Sequence, residues 1–293
     1  MNSKAIKRQL LAAIAMVLVA AIALGSSTYA WFVASGTVTA TGMKVQATSE
    51  GGLAISHGGE AWGTTADGGI ANAKNLKPAS TADFTKWSTA TAADPSKKDA
   101  DSTTRKEITV TLDKGDTVTD NGYVIARKFL IRSSNPSILA EGLNVSDITI
   151  DSSKKGADGK PIYTMSTALR VGLAFTNLPG ETKTKNMIFA PVEVSSDTAD
   201  TANKPTTSYT FYKDSSDTNG TTVTPIVLNK TDGNVVVPAD VEIPNGTSSA
   251  IEVIVYVWIE GEDNNLYSDN YHAEDLSVTV EFTSPSLTNK SST

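Results

Sequence analysis

The sequence predicts an all-β chain: an antiparallel, jelly-roll-like β-sandwich with long loop insertions and one or two short helices, preceded by a signal-peptide helix. Three observations carry that expectation. Thr, Val and Ser are abundant, and turn-forming Gly, Asn and Asp recur. Several segments alternate apolar and polar residues with period 2, the pattern of half-buried strands. Amphipathic helices do not separate those segments, which disfavours a parallel α/β architecture. Roughly eight to ten strands bounded by turn signals are expected.

In chain order, residues 1–30 read as a cleavable signal peptide. Lys4, Lys7 and Arg8 precede an uninterrupted apolar run from Leu10 to Leu24, and Thr28-Tyr29-Ala30 fits the small-residue cleavage rule. The cut is placed between Ala30 and Trp31. An uncleaved anchor is disfavoured because a 15-residue run falls short of the roughly 20 needed to cross the hydrocarbon core. Contact with the membrane is thus expected only before cleavage.

Residues 31–41 form a candidate N-terminal donor strand. Its even positions, Phe32, Ala34, Gly36, Val38 and Ala40, are apolar or small, and from Ser35 onward its odd positions are Ser or Thr. Such a segment cannot satisfy its backbone groups alone. It must pair either within its own chain, as an ordinary first strand, or with the sheet edge of another subunit.

Residues 42–284 are assigned to the sandwich. Ile108, Val110 and Leu112 alternate, as do Leu169, Val171, Leu173 and Phe175, and Leu276 to Phe282 puts every apolar residue on one face. Residues 123–132 and 144–151 add two strands, and shorter candidates lie at 187–194, 208–212 and 222–229. In 250–260, Ile251, Val253, Val255, Val257 and Ile259 share one face while Ile254, Tyr256 and Trp258 take the other. A strand apolar on both sides is central or covered. Residues 57–106 and 195–221 are rich in small and polar residues and read as surface insertions, the first with a short helix near Ala82 to Thr89. Residues 285–293 form a polar tail.

Charge and composition exclude several functions. The formal charge of -7 becomes -10 once Lys4, Lys7 and Arg8 leave with the signal, so no basic patch remains to neutralise phosphates, and nucleic acid is not an expected partner. The absence of cysteine removes disulfides, thiolate catalysis and thiolate metal sites together. Only two histidines exist. His57, in a Gly-rich loop, and His272, in a turn, lack the spacing that sets two zinc ligands on one helical face. No nucleophile elbow or phosphate loop is present, and no cofactor is expected. Glu260, Glu262, Asp263 and Asp269, with Asn264 and Asn265, are the densest oxygen cluster and of a type that suits Ca²⁺. The spacing matches no calcium-loop signature, and an acidic hairpin tip is the favoured reading.

The junction Gly25 to Phe32 followed by SGTVTATGMKVQA resembles the exported proteins processed by SipW-type signal peptidases, the TasA/camelysin family of Gram-positive bacteria. The stretches VYVWIEGED (255–263) and LSVTVEF (276–282) are similar to the closing strands of clostridial members. The resemblance implies a jelly-roll subunit of biofilm-matrix fibres, joined by donor strands. The expected function is therefore a secreted, non-enzymatic structural subunit of an extracellular fibre or matrix, at the cell surface or beyond it. Its expected partners are copies of itself, the signal peptidase and related matrix subunits. Two alternatives stand beside it: a monomeric secreted module binding glycan or host protein through its insertions, and a camelysin-like metalloprotease, for which no recognised zinc motif is present.

Overall fold

The structure is a computed structural model that describes residues 37–39, 44–47, 52–59, 61–68, 77–90, 104–110, 112–113, 117–118, 122–134, 138–152, 168–178, 184–190, 208–227, 235–242, 250–263, 276–284 and 286–289. Two seven-stranded sheets make a β-sandwich. In the first, the order is β16 (Val235–Glu242), β11 (Ile138–Ser152), β18 (Leu276–Thr283), β1 (Thr37–Thr39), β2 (Lys44–Ala47) and β4 (Thr65–Asp67), with β19 (Ser286–Asn289) also on β11. In the second it is β13 (Lys185–Phe189), β12 (Leu169–Thr176), β17 (Ile251–Ile259), β10 (Val124–Ser133), β9 (Thr117–Val118) and β8 (Leu112–Asp113), with β3 (Leu53–His57) on β10. These strand pairs are antiparallel except β2 with β18.

Alternation decides which residues enter the core. Leu169, Val171, Leu173 and Phe175 of β12 and the odd positions 251–259 of β17 face Leu143, Val145 and Ile148 of β11 and Val278, Val280 and Phe282 of β18. β11 stays in phase over its length by two register shifts. The first lies between Glu141 and Leu143, where Gly142 takes φ +74°. A glycine meets that left-handed requirement of a bulge without a Cβ penalty.

The second sheet is covered on its outer side as well. A three-stranded sheet, β5 (Ser80–Thr81), β6 (Trp87–Ala90) and β7 (Arg105–Ile108), and a hairpin, β14 (Tyr209–Phe211) with β15 (Thr221–Val223), lie over it. Together they enclose a second core of Phe84, Trp87, Val124, Tyr209, Phe211, Ile254, Tyr256 and Trp258. β17 is thus both central and covered, as its two apolar faces require. Tyr209 Oη donates to the Thr81 carbonyl at 2.7 Å and Ser88 Oγ to the Tyr212 carbonyl at 2.6 Å. These bonds lock the two insertions to each other.

Three expectations are corrected here. Residues 82–89 are not helical: Thr81 Oγ1 accepts from the Phe84 N–H and donates to the Lys86 carbonyl, while Asp83 Oδ1 accepts from the N–H and hydroxyl of Thr85. Such side chains satisfy the backbone locally and favour a turn over a helix, and Phe84 itself sits at φ +65°. The insertions are not merely surface loops, because their strands build the outer layer. Within the polar tail, Ser286–Asn289 pair with Ile138–Glu141. Residues 1–30 lie outside the described residues.

Gly172, on the outward face of β12, sits under the outer layer. A Cβ there would lie 2.6 Å from Phe84 Cζ and 3.0 Å from Trp258 Cζ3, and the Phe84 ring cannot swing away because it stacks on Tyr256 with centroids 4.7 Å apart. Gly172→Ala is expected to lower stability by about 1–3 kcal/mol through overpacking, read as a shift of the urea midpoint at unchanged slope.

Candidate functional site

Of the expected donor-strand residues, Val38 falls in β1, whereas Phe32, Ala34, Gly36 and Ala40, with the cleavage pair Ala30 and Trp31, lie outside the described residues. β1 pairs within its own chain on both sides. Thr37, Val38 and Thr39 register with Thr283, Phe282 and Glu281 of β18, and Val38 and Thr39 with Ala47 and Gln46 of β2. Beyond β1 the two flanking strands meet directly, Thr279 with Lys44 and Val280 with Val45. β1 is therefore a three-residue wedge between strands that close on each other past its end. Lifting it out would leave Glu281–Thr283 and Gln46–Ala47 facing an empty lane of the sheet.

The floor of that lane is core. Phe282 is fully buried and meets Phe175 of the opposite sheet edge to face, ring centroids 6.1 Å apart at 82°. Val38 is in register with this core-facing residue of β18, and Thr37 and Thr39 with its neighbours Thr283 and Glu281. Val145 flanks Phe282 from β11.

The cluster read as an acidic hairpin tip or calcium ligands is neither exposed nor open. Glu260, Glu262 and Asp263 are 0%, 5% and 0% exposed. Arg170 Nη2 reaches Asp263 Oδ2 at 2.5 Å, both side chains fully buried. Arg105 grips Glu262 through Nε at 2.6 Å and Nη2 at 2.9 Å, its guanidinium 4.4 Å from the Tyr212 ring centroid. Glu260 accepts from Trp258 Nε1 at 3.0 Å and from the Glu262 N–H at 3.1 Å. Burial pushes the Glu260 carboxyl up to about 7, against the opposing pull of Ser80, Arg170, Trp258 and the Glu262 N–H. Burial likewise raises the Tyr209 phenol well above its ordinary range, with nearby Glu260 adding to the effect.

Glu262 and Asp263 neutralise arginines, and Glu260 accepts from an indole and a backbone N–H, instead of offering oxygens to a cation. Asn264, Asn265 and Asp269 lie outside the described residues, and among the described residues no group of three or more His, Asp and Glu converges on a common point. His57 ends β3 with its ring 5.6 Å from Phe129 and is half-buried, not a solvated loop residue. His272 lies outside the described residues.

Sequence reasoning did not find Arg105, Arg170 or Tyr209. The available signal was the even face of β12, where Arg170, Gly172 and Ala174 combine one cation with two small residues. Small residues on an outward face mark a neighbour close above it. Compared with known proteins, no protein-family model, no curated protein and no solved structure matches this chain.

Proposed function

We propose that the chain is a secreted, non-enzymatic structural subunit of an extracellular fibre or matrix, polymerising by head-to-tail strand donation once residues 1–30 are removed. The observation that carries the reading is the lane of β1. A short strand immediately downstream of an export-type leader occupies a gap between two strands that pair with each other beyond it. The same lane accepts the same residues whether they come from its own chain or from a neighbour. Exchange between chains would make an open, heterologous contact, which propagates into a filament instead of closing. While residues 1–30 remain, the apolar leader holds the strand at the membrane, and cleavage at Ala30 releases it. The resemblance to the TasA/camelysin family supports the same reading, with related matrix subunits as further partners.

Because the chain has no cysteine, a Thr37→Cys, Thr283→Cys variant reports the pairing directly. Opposed positions on antiparallel strands are close enough for a disulfide. Protein beginning at Trp31 is expected to form filaments in electron micrographs, and their oxidation to give a ladder of covalent multimers on a denaturing gel. Filaments whose cross-links stay within single chains would exclude donation through this lane, and no filaments from wild-type protein would count against the fibre itself.

A second reading draws on the outer layer. Strands from both insertions pack on one face of the second sheet, which suits a monomeric module recognising glycan or host protein. That reading expects a concentration-independent monomer by light scattering.

A further inference from the structure

The outer layer meets the second sheet along a seam that contains more buried charge than a packing interface needs. Three carboxylates, Glu260, Glu262 and Asp263, and two guanidiniums, Arg105 and Arg170, occupy it. Each side of the seam supplies part. Arg170 rises from β12; Trp258 and Glu260 come from β17 and its end, and Glu262 and Asp263 from the turn that follows. Arg105 comes down from β7, Tyr209 from β14 and Ser80 from β5. The backbone joins the same edges, since the Ala79 N–H donates to the Ile259 carbonyl and the Gly261 N–H to the Ala79 carbonyl, both at 2.9 Å.

Arg105 and Glu262 are matched by a two-point contact, and Arg170 and Asp263 by a single contact between Nη2 and Oδ2. Glu260 is the fifth group. As a carboxylate it leaves these five side chains with one net negative charge in a site without solvent; as a carboxylic acid it leaves them neutral. Burial of an uncompensated charge costs far more than burial of a neutral acid. We propose that the seam is a proton-gated latch: with Glu260 protonated the outer layer stays docked on the second sheet, and loss of that proton loosens the outer layer, parts Phe84 and Trp87 from the second sheet and uncovers its aromatic residues Tyr256 and Trp258.

The groups that face Glu260 set the direction. Ser80, Arg170 and the donors Trp258 Nε1 and the Glu262 N–H favour the ionised form, whereas burial opposes it; the Glu262 and Asp263 carboxylates lie on the adjoining turn, and Tyr209 stays neutral beside it. Burial wins, holding the carboxyl near 7 against an ordinary 4.5. An acid whose value is raised in the closed state binds its proton more tightly there than in the open state. Closure is therefore fully favoured below the ordinary carboxylate value, weakens as pH rises from 4.5 to about 7, and levels off above that. Over this window the ratio of docked to undocked outer layer falls on the order of a hundredfold.

Hydrogen exchange on the whole mature protein tests this. After correction for intrinsic rates, amides in 77–90, 104–110 and 208–226 are expected to lose protection between pH 4.5 and 7.5 relative to those of β12 and β17, and Glu260→Gln is expected to abolish that loss. Protection that does not change with pH, or that changes identically in Glu260→Gln, would overturn the latch. Infrared spectroscopy of the wild-type protein gives an answer even where the variant does not fold. A carboxylic-acid carbonyl band that persists at pH 6, above the range of ordinary carboxylates, and vanishes as tryptophan fluorescence changes supports the latch. No such band at pH 6 overturns it.

Discussion

Arg170→Ala is expected to lower the free energy of unfolding by about 3–5 kcal/mol, the usual cost of stranding one member of a buried ion pair. Both partners are fully buried: the guanidinium donates to Asp263 at 2.5 Å and to the Leu169 carbonyl at 2.9 Å, 6.0 Å from the Tyr209 ring centroid. Truncation leaves the Asp263 carboxylate without this guanidinium, next to Glu260, in the interior of a protein that already carries excess negative charge. The attraction within the pair is not itself the source of this effect, because desolvation offsets most of it. A double variant, Arg170→Met with Asp263→Leu, is therefore expected to recover most of the loss. Chemical denaturation of the two variants side by side checks both statements, and equal destabilisation would show that shape, not charge, governs the seam.

The seam also shows where local pattern stops informing. β12 and β18 were legible because their apolar residues alternate, and β17 because burial on both sides leaves nine residues with few polar interruptions. The outer layer was legible only in part: β14 and β15 fall on the short candidates at 208–212 and 222–229, whereas β5 and β6 span two and four residues. Too few positions exist there for any period to emerge. What determines these strands is the aromatic face they cover, and that face is assembled from β10 and β17. Likewise, Glu260, Glu262 and Asp263 read locally as solvated acids. Their partners lie far along the chain, Arg170 by 93 residues and Arg105 by 157, and no local spacing encodes such pairings. The turn at 81–86 is a different case: its Thr81, Asp83 and Thr85 carried the turn chemistry openly, and the scattered apolar residues around them suggested a helix that those side chains prevent. β16 escaped notice because Pro238 interrupts its run, a residue that an edge strand tolerates.

Phe282→Ala is expected to cost about 3–5 kcal/mol, the range for removing a buried aromatic ring from a well-packed core. Phe282 is fully buried, meets Phe175 across the sandwich, and stands opposite Val145 on one neighbouring strand and Val38 on the other. The deletion thus damages the sandwich and the floor of the β1 lane together, and a loss of filaments in this variant would not say which mattered. A matched pair separates them. Phe282→Leu and Phe175→Leu each remove half of the same edge-to-face contact from the same core, so their effects on unfolding are expected to be similar and below about 1.5 kcal/mol when the core repacks. Only Phe282 borders the lane, since Phe175 lies in the opposite sheet between β13 and β17. If filaments form by strand donation, Phe282→Leu is expected to raise the critical concentration for assembly, measured by pelleting, well above that of Phe175→Leu. Equal critical concentrations would place the subunit contact elsewhere on the surface.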